Sequence, residues 1–227
     1  MHQYGNYPIF PKIKICGITN FEDAIAAARF GADALGFRIR PKLSKTAAKS
    51  IITSLPPFIT SVLLIRSLDT NDPIKIADLS NYLGISTLQI YTDFSIESLD
   101  QLRDRIPGFK LIRAIGVTGP ETVEEATELQ KVADALLLDT FDTKSGNIGG
   151  TGKTHDWVIS RKIVERVSVP VILAGGLTEE NIKDAMIAVN PWGIDCETGV
   201  EKSNGLKDHE KLKNFILKCK SMYLSNL

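Results

Sequence analysis

The sequence predicts a single-domain α/β protein folded as a (β/α)8 TIM barrel. Short apolar runs alternate with amphipathic stretches along its 227 residues. This alternation indicates parallel strands, because each connection must return the chain to the same end of the sheet. Eight such units in somewhat fewer than about 250 residues favour a closed barrel over an open sheet. We expect the barrel to span 12–227 and residues 1–11 to form an N-terminal extension on its surface.

Eight strands and eight helices account for the predicted barrel in order. The strands are short apolar runs at 13–16, 33–37, 60–65, 87–91, 110–115, 134–139, 170–174 and 192–196. Segments with helical spacing follow them at 20–30, 44–54, 72–82, 95–105, 120–131, 155–166, 178–188 and 207–222. Several begin with a capping signal, such as Asn20 followed by Asp23 three residues later.

A partial sequence repeat links the second and sixth predicted strands. The stretch "GADALGF" (31–37) partly recurs as "VADALLLD" (132–139). The repeat fits two half-barrels built on one plan, and it fits equally well a helix-to-strand turn that is used twice.

Charge and cysteine content narrow the setting. Lys plus Arg and Asp plus Glu number 27 each, so no net charge attracts nucleic acid or an anionic membrane. The three cysteines, Cys16, Cys196 and Cys219, are too few and too far apart for a disulfide framework or a zinc site, which suggests a reducing compartment. The N-terminal residues lack the apolar core of a signal peptide. We expect a cytoplasmic protein that binds a small molecule, as a monomer or homodimer.

Three polar side chains stand where predicted strands end. Cys16 closes the first strand, Asp139 the sixth, and Asp195 lies at the end of the eighth. In barrels of this kind, residues at the carboxyl ends of the strands face the active-site mouth. Cys16 taken alone fits the core better than it fits chemistry, because free cysteines are among the most buried residues; the flanking motif is what favours catalysis. Asp139 is either a loop cap or an acid that points into the mouth.

Glycine clusters follow the last three strands, at 146–153, 174–177 and 197–201. Glycine exposes backbone N–H groups with no Cβ in the way, and "AGGL" is predicted to lead directly into a helix N-terminus that favours an anion. Loops after the seventh and eighth strands hold a phosphate in many barrels. The string "GGTGKT" does not fit a P-loop, because Asn147 stands where its first glycine is needed. The predicted phosphate-binding residues are Gly150, Gly152, Gly175, Gly176, Thr198 and Gly199.

The ordered motifs resemble those of the phosphoribosylanthranilate isomerase family of tryptophan biosynthesis. They are "KICGIT", "GADALGF", "LLLDT…GGTGKTHDW", "ILAGGLTEENI" and "GIDCETGVE", and the resemblance runs from about residue 12 to the C-terminal helix. It implies a (β/α)8 barrel that works without a metal or organic cofactor. The implied reaction is the Amadori rearrangement of N-(5'-phosphoribosyl)anthranilate to 1-(2-carboxyphenylamino)-1-deoxyribulose 5-phosphate, an aldose-ketose isomerisation.

The resemblance assigns Cys16 as the general base and Asp139 as the general acid. Opening the sugar ring needs a proton on the ring oxygen, and the resulting iminium must then lose a proton from its second carbon. We expect the Cys16 thiol to be partly ionised by nearby groups and the pKa of Asp139 to be raised by burial. Cys196 and Cys219 are expected to pack in the core, and His155 is expected to help start the sixth helix.

The loop after the second strand departs from the family pattern. Relatives carry an arginine that engages the anthranilate carboxylate, whereas Lys42 takes the most natural alignment here. Lysine keeps the charge but loses the bidentate fork of the guanidinium. Arg38 and Arg40 are possible substitutes in the same loop.

Two further loops depart from the pattern. After the fourth strand Gln89 is kept, but Tyr91 stands where the family has histidine, and Glu197 replaces a serine near the predicted phosphate loop. We predict that Lys42, Gln89 and Asp195 bind the substrate. Three interpretations stay open: an isomerase with adjusted contacts, a barrel that isomerises another phosphorylated aminosugar, and a non-catalytic binding barrel. The presence of both Cys16 and Asp139 argues against the last.

Overall fold

The computed structural model describes residues 11–66, 71–142, 147–149, 152–202 and 205–224. Its strands are β1 Lys12–Ile15, β2 Ala34–Phe37, β3 Thr60–Ile65, β4 Thr87–Ile90, β5 Lys110–Val117, β6 Ala135–Asp142, β7 Asn147–Ile148, β8 Val171–Leu173 and β9 Gly193–Cys196. Its helices are α1 Phe21–Phe30, α2 Lys45–Thr53, α3 Pro73–Leu83, α4 Ile96–Arg105, α5 Thr122–Leu129, α6 Trp157–Arg166, α7 Ile182–Val189 and α8 His209–Leu224. A short 3-10 turn, Thr198–Val200, follows β9.

Eight of these strands close into one parallel barrel. The order around the barrel is β1, β2, β3, β4, β5, β6, β8 and β9, and β9 pairs with β1 to complete the circle. In the β1–β9 pair, Lys14 lies opposite Asp195. The prediction of a single-domain (β/α)8 barrel is therefore confirmed, and every predicted strand and helix has a counterpart among the described residues.

Capping contacts explain where the helices start and stop. The Asn20 side chain accepts a hydrogen bond from the Asp23 N–H at 2.8 Å, as the sequence predicts. Helix α1 ends at Gly31, whose φ of 104° belongs to the left-handed region that glycine adopts without strain. Helix α7 begins at Ile182, later than predicted, because residues 179–181 form a turn instead of the first helical turn. The glycines of "AGGL" therefore do not lead directly into a helix.

Apolar side chains fill two layers. The larger cluster lies between the strands and the surrounding helices and includes Cys196 and Cys219, so both cysteines pack in the core as expected. The smaller cluster fills the inside of the barrel and includes Cys16, Leu64 and Leu137. No described helix combines the length and the apolar character needed to cross a bilayer.

The structure differs from the prediction mainly around β6. Strands β5 and β6 run beyond their predicted ends, and β7 turns back to pair antiparallel with β6, with Phe141 opposite Ile148. Both side chains pack against Gly116 of β5, which leaves them the necessary space. At the other end of the chain, Pro11 is buried, while residues 1–10 of the predicted extension lie outside the described part.

Candidate active site

Alternate residues of the strands line the mouth of the barrel. Leu64 and Leu137 pack with Cys16 inside the barrel. Since successive side chains of a strand point to opposite faces, Arg66 and Asp139, two residues further along their chains, point to the same inward side. The mouth therefore brings together Cys16 and Asp139, the predicted base and acid.

Cys16 follows β1 directly and is buried. A Cβ on Gly36 of β2 would lie 2.8 Å from its Sγ, so this glycine leaves the space that the thiol occupies. Burial raises the pKa of Cys16 to about 12, although the nearby Lys14 ammonium opposes the shift. The thiol is therefore protonated in the protein without substrate, and the partial ionisation expected from the sequence does not hold there.

Lys14 forms a buried ion pair beside the thiol. Its Nζ donates a hydrogen bond to Asp195 Oδ1 at 2.8 Å, and both side chains are shielded from solvent. Burial alone would lower the pKa of Lys14, but Asp195 and Cys16 raise it above its ordinary value, so the ammonium keeps its charge. Asp195, predicted to bind substrate, thus holds a cation against the candidate base and also lines the pocket at the mouth.

Asp139 is buried at the opposite side of the same mouth. Burial raises its pKa to about 6, which outweighs the lowering by the hydrogen bond that its Oδ1 accepts from the Thr140 N–H at 2.8 Å. Gly149, which follows β7 directly, packs on it: a Cβ on this glycine would overlap Asp139 Oδ2 and would lie 3.2 Å from Arg66 Nη2. The raised pKa expected for a general acid is therefore present.

Tyr91 joins several of these groups. Its hydroxyl accepts a hydrogen bond from Gln89 Nε2 at 2.7 Å, and the Arg66 guanidinium carbon lies 4.2 Å from the centre of its ring. Gln89 is fully buried beneath Tyr91. The structure thus gives Gln89 a supporting contact with Tyr91, and its direct contact with substrate stays a prediction.

Backbone from three glycine loops forms one wall of the pocket. Gly152, Gly175, Gly176 and Thr198 line it together with Asp139 and Asp195. Gly175 and Gly176 have φ angles of 83° and 60°, which favour glycine. Among the described residues, none accepts a hydrogen bond from the N–H of either glycine. Gly199 lies in the adjoining 3-10 turn, and Gly150 lies outside the described residues.

These loops also pack closely on one another. A Cβ on Gly176 would lie 2.6 Å from the Lys153 carbonyl oxygen, and a Cβ on Gly199 would overlap the carbonyl oxygen of Leu177. A Cβ on Gly175 would lie 2.9 Å from the Thr140 backbone nitrogen. Close approach of backbone is thus a second physical reason for glycine at these positions.

His155 supports this packing from behind. Its Nε2 is 2.7 Å from Ser160 Oγ, and its Nδ1 is 3.3 Å from Thr140 Oγ1. Burial lowers its pKa to about 4, so the ring is neutral at physiological pH. The residue that caps helix α6 is Asp156, whose side chain accepts from the Val158 N–H. His155 is thus not the cap, but its contact with Ser160 near the start of α6 is consistent with the expectation that it supports the helix start, and it also contacts Thr140.

The β2–α2 loop places its cations differently from the alignment. Lys42 is exposed, and its Nζ lies near Gly205. Arg40 Nη2 instead lies 3.9 Å from Glu197 Oε1, and the Glu197 side chain also packs over Gly17. Glu197 is thus directed toward β1 and Arg40. Lys42 as a substrate ligand stays a prediction.

Three residues important to this geometry were missed from the sequence. Lys14 could have been found, because it lies two residues before Cys16 in "KIKIC" and its side chain therefore points to the same face of the strand. Arg66 could have been noted as a charged residue at a strand end. Its neighbour Tyr91 was noted only as a lost histidine. The described residues contain no group of three or more His, Cys, Asp or Glu side chains arranged to hold a metal ion.

Comparison with known proteins agrees with this geometry. A family model described as N-(5'-phosphoribosyl)anthranilate (PRA) isomerase matches residues 13–218. The N-(5'-phosphoribosyl)anthranilate isomerase 2 of Methanosarcina mazei is 41% identical over 216 residues, which cover 92% of this chain and 94% of that protein.

Solved structures give the same result. The phosphoribosylanthranilate isomerase of Thermotoga maritima has a TM-score of 0.80 at 33% identity, covering 93% of this chain and 99% of that one. Another, in complex with reduced 1-(o-carboxyphenylamino)-1-deoxyribulose 5-phosphate, has a TM-score of 0.78 at 32% identity with the same coverage. Together with the closed barrel and the residues at its mouth, these matches show that the chain belongs to the N-(5'-phosphoribosyl)anthranilate isomerase family.

Proposed function

We propose that this protein isomerises N-(5'-phosphoribosyl)anthranilate to 1-(2-carboxyphenylamino)-1-deoxyribulose 5-phosphate in tryptophan biosynthesis, with Asp139 as acid and Cys16 as base. The assignment of Asp139 and Cys16 rests on the groups that meet at the mouth of the barrel. A carboxyl whose pKa burial raises to about 6 and a buried thiol beside a charged lysine face one mouth, whose pocket is walled by glycine loops.

Asp139 begins the reaction by protonating the furanose ring oxygen. The bond between this oxygen and the first sugar carbon breaks, and the nitrogen lone pair forms a carbon–nitrogen double bond, which gives a cationic iminium. An acid must hold its proton until the substrate binds. The raised pKa of Asp139 keeps a useful fraction protonated near neutral pH.

Cys16 completes the rearrangement as a thiolate, which forms when the thiol loses its proton to solvent at the open mouth as the cationic iminium develops beside it. It removes the proton from the second sugar carbon, and the released electron pair neutralises the iminium by forming an enol-amine. The first carbon then gains a proton while the enol hydroxyl loses one, which leaves the ketone. Two positive charges favour the thiolate at this stage: Lys14, held in place by Asp195, and the iminium of the substrate.

The glycine loops supply the proposed phosphate site. The N–H groups of Gly175 and Gly176 and the turn at Thr198–Gly199 border the same pocket as Asp139. Backbone N–H groups can bind a phosphate without any cationic side chain. Gly152 lies in the same wall, and we keep Gly150 in the proposed set. We propose that the protein acts in the cytoplasm, as a monomer or homodimer.

The activity can be tested through the fluorescence of the substrate. Anthranilate fluorescence should decay when the wild-type protein is added to N-(5'-phosphoribosyl)anthranilate, and Asp139→Asn should abolish the decay. A folded wild-type protein that leaves the fluorescence unchanged would contradict the proposal. It would favour another phosphorylated aminosugar as the substrate of the same acid and base.

A further inference from the structure

Arg66 is a charged residue at the mouth that neither the proton transfers nor the phosphate site uses. It follows β3 directly and lies over the ring of Tyr91, with the guanidinium carbon 4.2 Å from the ring centre. The Tyr91 N–H donates to the Ile65 carbonyl at 3.0 Å, which fixes the two strand ends side by side. The guanidinium is therefore held by stacking on a residue whose own position is set by the barrel.

The circular strand order places Arg66 opposite the proposed phosphate site. β3 lies four strands from β8, and β4 lies four strands from β9. Arg66 thus faces Gly175 and Gly176 across the mouth, and Tyr91 faces the turn that begins at Thr198. Tyr91 lines the same pocket as these loops. A substrate whose phosphate is bound at β8 and β9 directs its other end toward Arg66 and Tyr91.

The positive charge of Arg66 favours an anionic group at this end of the pocket. Burial would lower the pKa of Arg66, but Tyr91, Glu197 and Asp139 together raise it, so the guanidinium is charged. When Asp139 is protonated, as the ring-opening step requires, it no longer contributes a negative charge near Arg66. A planar carboxylate is the group that a guanidinium binds best, with two parallel hydrogen bonds.

We propose that Arg66 binds the carboxylate of the aminophenyl group and thereby sets the preference for a carboxylated arylamine. This inference rests on the proposed isomerase function and deepens it. It moves the carboxylate contact from the exposed Lys42 to a half-buried residue on the opposite side of the mouth from the phosphate.

The contact also links substrate recognition to the acid. Arg66 and Asp139 both lie beneath Gly149, and the positive charge of Arg66 lowers the pKa of Asp139. A carboxylate on Arg66 offsets that charge, so the bound substrate helps Asp139 keep its proton. A substrate without the carboxylate gains neither the contact nor this help.

The experiment compares two substrates made from ribose 5-phosphate, one with anthranilate and one with aniline. In Arg66→Met, kcat/KM for the anthranilate compound should fall roughly 10- to 100-fold, the loss typical of one charge-assisted contact. The aniline compound should change less than roughly threefold. Arg66→Lys, which keeps the charge, should lose less than Arg66→Met and guards against misfolding of the latter. Lys42→Met and Arg40→Met test the two competing positions in the β2–α2 loop, and if Arg66 makes the contact they should leave the ratio of the two substrates unchanged.

Three results would overturn the inference. Equal losses on both substrates in Arg66→Met and Arg66→Lys would mean that Arg66 only supports the acid. No change on either substrate would remove it from recognition, and a changed ratio in Lys42→Met or Arg40→Met alone would move the contact to that residue. Wild-type protein inactive on the anthranilate compound would refute the proposed function itself, which separates the two failures.

Discussion

Replacing Asp139 with asparagine should stabilise the folded protein, and the gain should grow with pH. Burial raises the pKa of this carboxyl from 3.8 to about 6, so ionising it costs more in the folded protein than in the unfolded chain. A shift of about 2 units corresponds to about 3 kcal/mol at pH values well above 6, since one unit is about 1.4 kcal/mol. Asparagine keeps the shape and an acceptor for the Thr140 N–H, and it carries no charge.

Proton linkage gives the sign at each pH. Well below the unfolded pKa of 3.8 the carboxyl is protonated in both states, so its ionisation does not affect stability. Between about pH 4 and the folded pKa of about 6, the unfolded chain loses the proton while the folded protein keeps it, and wild type loses stability. The ionisation penalty in wild type is about 1.6 kcal/mol at pH 5 and about 3 kcal/mol at pH 8.

Chemical and thermal unfolding at these two pH values test the argument. The advantage of Asp139→Asn over wild type should increase by about 1.4 kcal/mol from pH 5 to pH 8, or roughly 3–6 °C in Tm for a domain of this size. Asp104→Asn removes an exposed carboxylate from α4 and serves as the control. An advantage that is equal at both pH values would refute the raised pKa, whatever its absolute size.

Three other substitutions test separate parts of the site. Cys16→Ala should reduce kcat by roughly 100-fold or more while circular dichroism stays unchanged, because the thiol acts as a base; near-normal turnover would remove it from the mechanism. Lys14→Met leaves the buried Asp195 without its cation and should cost about 3–5 kcal/mol of unfolding free energy. Adding Asp195→Asn should recover part of this, and additive losses in the double variant would contradict a paired role. Gly176→Ala should lower both Tm and the affinity for inorganic phosphate, because its Cβ would meet the Lys153 carbonyl. Gly152→Ala places its Cβ in open space and should lower Tm less. Equal losses of Tm in the two variants would count against the packing argument.

The sequence was sufficient to predict the fold because local signals and the global architecture agree. Alternating apolar runs and caps such as Asn20 placed the strands and helices close to their observed bounds. The extension of β6 was not predictable in this way, because it depends on the pairing of Phe141 with Ile148 across a turn. The start of α7 was placed too early, since Thr178 and Asn181 cap a turn and not the helix.

The candidate site was predictable where strand position alone decides it. Cys16, Asp139 and Asp195 stand at strand ends, and all three reach the inside of the barrel. The direction of a loop side chain is not set by strand position, so an alignment with Lys42 could not show that its Nζ lies near Gly205. The stacking of Arg66 on Tyr91 depends on the register between two strands, which no local pattern reveals.

The close packing of the three glycine loops constrains how this barrel can be redesigned. Gly175 fits against Thr140 of β6, Gly176 against the backbone at Lys153, and Gly199 against the carbonyl of Leu177. A new loop grafted after β8 would meet the backbone of the other two, and one grafted after β6 or β9 would meet the loop after β8. Because Gly149, in the connection between β6 and α6, packs on Asp139, a graft there would also shift the acid. A library that diversifies these three loops together therefore has a better chance of folded, active members than one that exchanges them singly.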